Sequence, residues 1–287
     1  MATAEAHTAE YPELVISPPG RWSALKLGEL WHHRELIYFL TKRELQVRYK
    51  QSFFGISWAV LQPLIFALVF AFFFGVVAKI KPPAGLPYLV FVVTGIVPWL
   101  FVAQAIQNAA GSLVLDANLI AKVYFPRLAL PIAKGLSLLI DLAIALALML
   151  VITVISGVGI ASTVYLVPAF LLLAVITAFG IGTLFAAINV KYRDVQLVVP
   201  MLVQILFFAS PVLYSGTQVG DQIGRAWFYI YSINPLASAF DGLRWALLDA
   251  PYPGTINILI SVASATVILL AALFYFKRSE SYFADVI

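Results

Sequence analysis

Asp141 is the one ionisable side chain well inside an apolar stretch of this 287-residue sequence. A carboxylate in hydrocarbon is costly to ionise, which makes it a functional candidate by default. It also lies fewer than two helical turns from Lys134, so that reading is discounted here in favour of a place near the inner headgroups or in a pair across a helix interface. The three histidines, His7, His32 and His33, all precede the first apolar stretch, and cysteine is absent. That excludes disulfides, thiolate metal ligands, cysteine nucleophiles and a histidine base within the membrane. No G-x-x-x-x-G-K-[ST] phosphate loop, paired in-membrane carboxylates, metal-ligand spacing or nucleophile elbow occurs, so the chain reads as a non-enzyme without its own ATPase site.

Forty aromatic residues are the other chemical resource. Most suit packing and interfacial belts. The runs containing Phe70, Phe73 and Phe74, and Phe207 and Phe208, point in several directions around a helix, so part of each can face a pathway. Aromatic walls suit sugars, whose C–H faces pack on rings without holding any one unit tightly.

The positioning elements follow from composition. The chain is 62% hydrophobic and 11% charged, whereas soluble domains are about a quarter charged, so it is an all-α integral membrane protein. Six apolar segments, 58–78, 88–107, 135–155, 165–188, 195–214 and 256–276, are each long enough to cross about 30 Å of hydrocarbon as a helix. With the N-terminus inside, 14 of the 18 Lys and Arg fall on the cytosolic side, the usual asymmetry. Both termini are then cytosolic.

Residues 1–28 lack a signal-peptide core and read as a poorly ordered cytosolic tail. Residues 29–51 read as an amphipathic helix in the headgroup layer, with Leu36, Leu40 and Val47 on one face and Glu44 and Arg48 awkwardly near it; the alternative is a plain basic flank. Asn108 to Lys134 forms a 27-residue polar interruption, far longer than a helix-hairpin connection needs, and reads as a docking handle on the cytosolic side. Pro200 and Pro211 bracket the fifth segment, either as tolerated kinks or as points where its outer end bends. On the outer side, Asn234 and Pro235 read as an N-cap and first helical residue, followed by a stripe including Phe240; Asp241 and Arg244 can pair at i, i+3. This short helix either dips into the membrane as a lid or lies at the outer headgroups.

Five strings in register resemble the permease subunits of ABC-2-type exporters for polysaccharides, teichoic acids and polyol phosphates. They are Asn118-Leu-Ile-Ala-Lys-Val-Tyr-Phe-Pro-Arg127, Asn189-Val-Lys-Tyr-Arg-Asp-Val195, Ser210-Pro-Val-Leu-Tyr214, Asn234-Pro-Leu236 with Asp241-Gly-Leu-Arg-Trp245, and Phe283-Ala-Asp-Val-Ile287. The resemblance runs from about Thr41 to the end and implies a six-span permease domain over 52–287. It also implies a homodimer in a bacterial cytoplasmic membrane, with two separate ATPase subunits that bind ATP and Mg; this chain itself would hold no cofactor. The coupling helix would comprise Asn118, Leu119, Ile120, Lys122, Val123, Tyr124, Phe125, Pro126 and Arg127, with Tyr192, Arg193 and Asp194 as a second contact. Phe70, Phe73, Phe74, Phe207, Phe208 and Tyr214 become pathway candidates. Pro211, Asn234, Pro235, Phe240, Asp241 and Arg244 would form an outer gate. Lys42, Arg43, Arg48 and Lys50 offer charge to a carrier-lipid pyrophosphate; Asp141 matches no motif. A permease for a drug or lipid, or an intramembrane enzyme acting on polyprenyl-linked sugars, are the alternatives.

Overall fold

The helix spanning Tyr88–Leu115 is the one around which the others pack: 83% of its apolar stretch is buried, against 11% for the first span and 17% for the last. The computed structural model describes residues 27–50, 54–123, 125–192 and 194–286, and among them every regular element is helical. The expected tail lies almost wholly outside these residues, as do Tyr124, Arg193 and Ile287.

In chain order, α1 (Leu27–His32) and α2 (Arg34–Lys50) precede α3 (Trp58–Phe70), which continues as a π-helical stretch over Ala71–Val77. Next come α4 (Tyr88–Leu115), α5 (Ala117–Lys122), α6 (Ala129–Ile155) and α7 (Val167–Lys191). The remainder is α8 (Val195–Ala209), α9 (Gly216–Ile223), α10 (Arg225–Tyr231), α11 (Pro235–Leu248) and α12 (Thr255–Val286).

Helix α4 packs on α6, α7, α3 and α8, and α12 covers the far side of α7. Small residues permit this: Ala105, Ala109 and Ala110 of α4 are buried, as are Ala174, Ala178, Ala186 and Ala187 of α7. In lipid, where apolar surface gains little from contact with more apolar surface, close backbone approach and interhelical hydrogen bonds hold helices together. Asn189 of α7 supplies such a bond, donating from Nδ2 to the Ala110 carbonyl at 2.9 Å.

Among the described residues, five helices are long and apolar enough to cross a membrane. The expected span over 195–214 is instead the 15-residue α8, followed by a non-helical segment. At about 1.5 Å per residue α8 reaches roughly 22 Å, short of the about 30 Å hydrocarbon layer. The 27-residue handle is also shorter than expected, because α4 runs on to Leu115 and α6 starts at Ala129. Ser112 sits inside the helix by donating back to the Ala109 carbonyl at 2.7 Å. Pro131 occupies the first turn of α6, where no backbone N–H is needed.

Candidate functional site

Two polar assemblies lie at opposite ends of the bundle. The first joins α2 to the short helix α5. Arg43 donates to Asp116 Oδ1 at 2.5 Å and to Glu44 at 3.0 Å, and Lys134 at the start of α6 lies 2.8 Å from Glu44. Lys134 is also 3.3 Å from Asp116 Oδ2, an ion pair without hydrogen-bond geometry. Asp116 holds the N-cap position of α5 but makes no capping bond, because its carboxylate is turned into this network. Burial pulls the Arg43 guanidinium down, yet its bonds to Glu44 and Asp116 outweigh that and hold it above its ordinary value.

A turn further along α2, Arg48 donates to Asp141 at 2.5 Å and to Ser137 Oγ at 3.2 Å, and the Tyr49 hydroxyl donates to the other Asp141 oxygen. Asp141 thus pairs across a helix interface. Burial and the bond to Asp141 push the Tyr49 phenol up to about 12. Arg48, Tyr49 and Asp141 line a cavity of about 220 Å³ together with Trp58, Gln62 and Gln104. The sequence gives a partial signal for these pairs: Glu44 and Arg48 fall near the apolar face because that face meets the charges of α6. Of the residues expected on that face, Leu40 is buried, whereas Val47 is 70% exposed. Arg43 and Arg48 are therefore paired, whereas Lys42 and Lys50 are exposed and make no ion pair among the described residues.

The residues expected to couple to an ATPase divide into two sets. Asn118, Lys122 and Val123 are exposed along one side of α5 and its flank, as is Leu115 just before it, which is not among the expected residues. Phe125 instead packs in a cluster with Leu40, Leu113, Leu130 and Phe276, and Leu119 and Ile120 lean on it. Pro126 is half-buried, and Arg127 donates to the Glu280 carbonyl near the end of α12. Tyr192 is exposed, with the Lys191 ammonium 4.9 Å from its ring centre, and Asp194 is exposed before α8.

The aromatic candidates are brought together in part. The Phe70 ring lies 5.8 Å from Phe207 and 6.0 Å from Phe74, and Trp99 lies 5.3 Å from Phe207. Phe70, Trp99 and Phe207 line a cavity of about 280 Å³ with Gln107 and Gln204. Phe73 and Phe208 are more than half exposed; the Phe208 ring lies edge-on to Phe207 at 5.1 Å, whereas Phe73 pairs with Phe72 at 5.4 Å. Trp99 and the two glutamines were not anticipated, although a tryptophan mid-span, away from both interfaces, is a legible signal.

The second assembly is centred on Arg244. Its guanidinium donates to the carbonyls of Pro211 and Val212 at 2.6 Å, of Tyr214 at 3.1 Å and of Phe91 at 3.4 Å, and to Asp241 at 3.4 Å. It stacks 3.9 Å from the Phe91 ring centre, a cation–π arrangement. Arg244 and Asp241 are 1% and 4% exposed. Gly95 makes room, since a Cβ there would collide with the Val212 carbonyl and the guanidinium. The Asn234 side chain caps α11, accepting from the Leu236 N–H at 3.1 Å, and donates to the Ala209 carbonyl at 3.1 Å. Helix α11, with Pro235 and Phe240 fully covered, is buried against α7, α12 and α4 rather than lying on the surface. Tyr214 donates to the Phe208 carbonyl and meets Tyr231. The break after α8 is thus stitched by α11.

The sequence profile of the family described as ABC-2 type transporter matches residues 35–248, which takes in both assemblies. The O-antigen export system permease protein RfbA of Myxococcus xanthus is 30% identical over 259 residues, covering 90% of this chain and 98% of that protein. RfbA of Klebsiella pneumoniae is 29% identical over 88% of this chain and 95% of its own length. The polysialic acid transport protein KpsM of Escherichia coli is 25% identical over 81% and 87%. With a family match across three quarters of its length and relatives aligned nearly end to end, the chain belongs to the ABC-2 type transporter family.

Proposed function

We propose that the chain is the transmembrane subunit of an ATP-driven exporter of a lipid-linked polysaccharide or polyol-phosphate polymer, working as a homodimer with two separate ATPase subunits at the bacterial cytoplasmic membrane. The observation that carries this reading is the near end-to-end similarity to O-antigen export permeases.

The geometry supports a division of labour. The exposed side of α5, with Leu115, Asn118, Lys122 and Val123, would seat on the ATPase, and Tyr192 with Asp194 would add a second contact. The α5 segment is held at both ends, through Asp116 to α2 and α6 and through Arg127 to α12. ATPase closure would therefore move α5, α2, α6 and α12 as one body. Helix α8 with the buried segment after it would complete a sixth crossing, because non-helical backbone is tolerated at membrane depth where protein satisfies it. The largely uncovered faces of α3 and α8 would meet the second copy, with the Phe70, Phe207 and Trp99 cavity beside the pathway. Lys42 and Lys50, eight residues apart on the open side of α2, would meet the carrier pyrophosphate first.

The test is purification of the chain from its native host in mild detergent, with mass spectrometry of what accompanies it. A stoichiometric subunit carrying a phosphate loop, whose ATP turnover responds to a lipid-linked glycan, is expected. An intact permease with no ATPase under several detergents would overturn the proposal.

A further inference from the structure

A cavity of about 480 Å³ opens between the α9–α10 pair and the start of α12, a volume within the about 300–1,000 Å³ of small-ligand sites. It lies at the opposite end of the 32-residue α12 from the Arg127 tie, which places it on the outer side if α5 faces the cytosol. Its wall combines the rings of Phe228, Tyr229 and Tyr252 with the hydroxyls of Thr217 and Thr255 and the carboxylate of Asp221.

The floor of this pocket is fixed by its own bonds. The Tyr252 ring lies 4.7 Å from Trp245, and its hydroxyl is 3.0 Å from Thr255 Oγ1. Asn257 is buried, donates to the Pro253 carbonyl at 2.6 Å and accepts from Ser232 at 3.1 Å. Gly254, at φ 93°, makes the turn into α12, a conformation that side-chain-bearing residues rarely adopt. The Asp221 and Tyr229 side chains, by contrast, make no hydrogen bond among the described residues, and the first N–H groups of α12 have no intrahelical acceptor. The pocket therefore offers ring faces, one strong acceptor and several donors around an ordered floor.

This donor and acceptor set selects a ligand class. Among the described side chains no lysine or arginine lines the cavity, which argues against a phosphate or an anionic headgroup. No group of three metal-ligating side chains exists among the described residues, which argues against a cation. The rim of hydroxyls and a carboxylate is too polar for an acyl chain. A hydroxyl-rich ring with C–H faces satisfies every element. Building on the exporter reading above, we infer that the outer pocket bounded by Asp221, Tyr229 and Tyr252 binds the glycan chain itself as it leaves the permease. The rings stack on sugar faces, and Asp221 accepts from sugar hydroxyls.

The probe is the native host's own surface glycan, released from its lipid by mild acid, and the protein is the full chain purified with its accompanying subunits into lipid nanodiscs. Saturation-transfer NMR and tryptophan quenching should show saturable binding, with Trp245 reporting through its contact with Tyr252. Asp221→Asn combined with Tyr229→Ala should raise the Kd at least tenfold while the thermal midpoint stays unchanged, and Tyr252→Phe, which keeps the ring, should retain most of the affinity. Unchanged Kd in the double variant, or no saturable binding by a wild-type chain that exports this glycan in cells, would overturn the pocket and leave the exporter reading standing. Failure of the wild-type chain to restore glycan export to a strain lacking it would instead remove the exporter reading on which the pocket rests.

Discussion

Replacing Arg244 with methionine keeps the side chain's length and apolar stem but removes the guanidinium that four carbonyls and one carboxylate share. At 1% and 4% exposure neither Arg244 nor Asp241 has solvent at hand to replace its partner. Breaking a buried pair from one side strands the other charge, a cost of about 3–5 kcal/mol. At about 2–4 °C per kcal/mol for a chain of this size class, the midpoint should fall by roughly 10 °C. Asp241→Asn added to Arg244→Met removes the stranded charge and should recover about half of that loss, leaving the unsatisfied carbonyls as the remainder. Gly95→Ala, which presses a methyl group into the same space, should act in the same direction without altering any charge. The assay is fluorescence-detected size exclusion after heating in nanodiscs at a fixed rate, because membrane proteins unfold irreversibly and only matched protocols compare. A single Arg244→Met variant within about 2 °C of the wild type, or a double variant worse than the single one, would refute the reasoning.

Lys134→Met removes the cation shared by Glu44 and Asp116, whose side chains are 16% and 12% exposed; it should cost about 1–3 kcal/mol and lower export more than ATP turnover, as paired flux and phosphate-release assays would read. Leu115→Ala with Lys122→Ala alters only the exposed side of α5, so stability should stay within about 0.5 kcal/mol while the ATPase no longer co-purifies. Asn189→Ala loses the α4–α7 bond and should lower the thermal midpoint by roughly 3 °C, from about 1 kcal/mol. The Tyr49 phenol, held at about 12 in the folded protein against about 10 when unfolded, contributes stability that is full below pH 10 and lost as pH rises through 12. Denaturation midpoints compared between wild type and Tyr49→Phe should therefore converge over that window, and a constant gap would count against the bond to Asp141.

Hydropathy made five of the six apolar helices legible, because an apolar run of twenty residues has few other uses. It overran at α8, since Pro211, Val212, Leu213 and Tyr214 extend the apolar run although the carbonyls of Pro211, Val212 and Tyr214 turn to a guanidinium about thirty residues away in sequence, and that of Leu213 to the Tyr88 hydroxyl. It fell short at the end of α4, where Ser112 is polar in type but bonded within its own helix. The i, i+3 spacing exposed the Asp241–Arg244 pair, yet local spacing carries no information about burial, so the helix read as a surface or lid element. The charge partners of α2 were harder still. Arg48 and Asp141 are separated by 93 positions, and the hints were indirect: the misfit of Glu44 and Arg48 on an apolar face, and a carboxylate at Asp141 that a pair across a helix interface would explain.

The separation of α2 from those neighbours also bears on biogenesis. At about 5–20 residues per second, Arg48 emerges several seconds before Asp141, and Arg43 several seconds before Asp116. Throughout the insertion of α3 and much of α4 the bases of α2 therefore lack their partners at Asp116 and on α6, which, with the cytosolic N-terminus proposed above, is when their charge would act to retain it. Docking onto α6 comes only after the orientation of the first hairpin is decided. A chain free of cysteine is well suited to showing this. A single cysteine at Leu40 should react freely in ribosome-bound chains ending before Ala129 and become protected once α6 is complete; equal protection at both lengths would show that α2 finds its place without its partners.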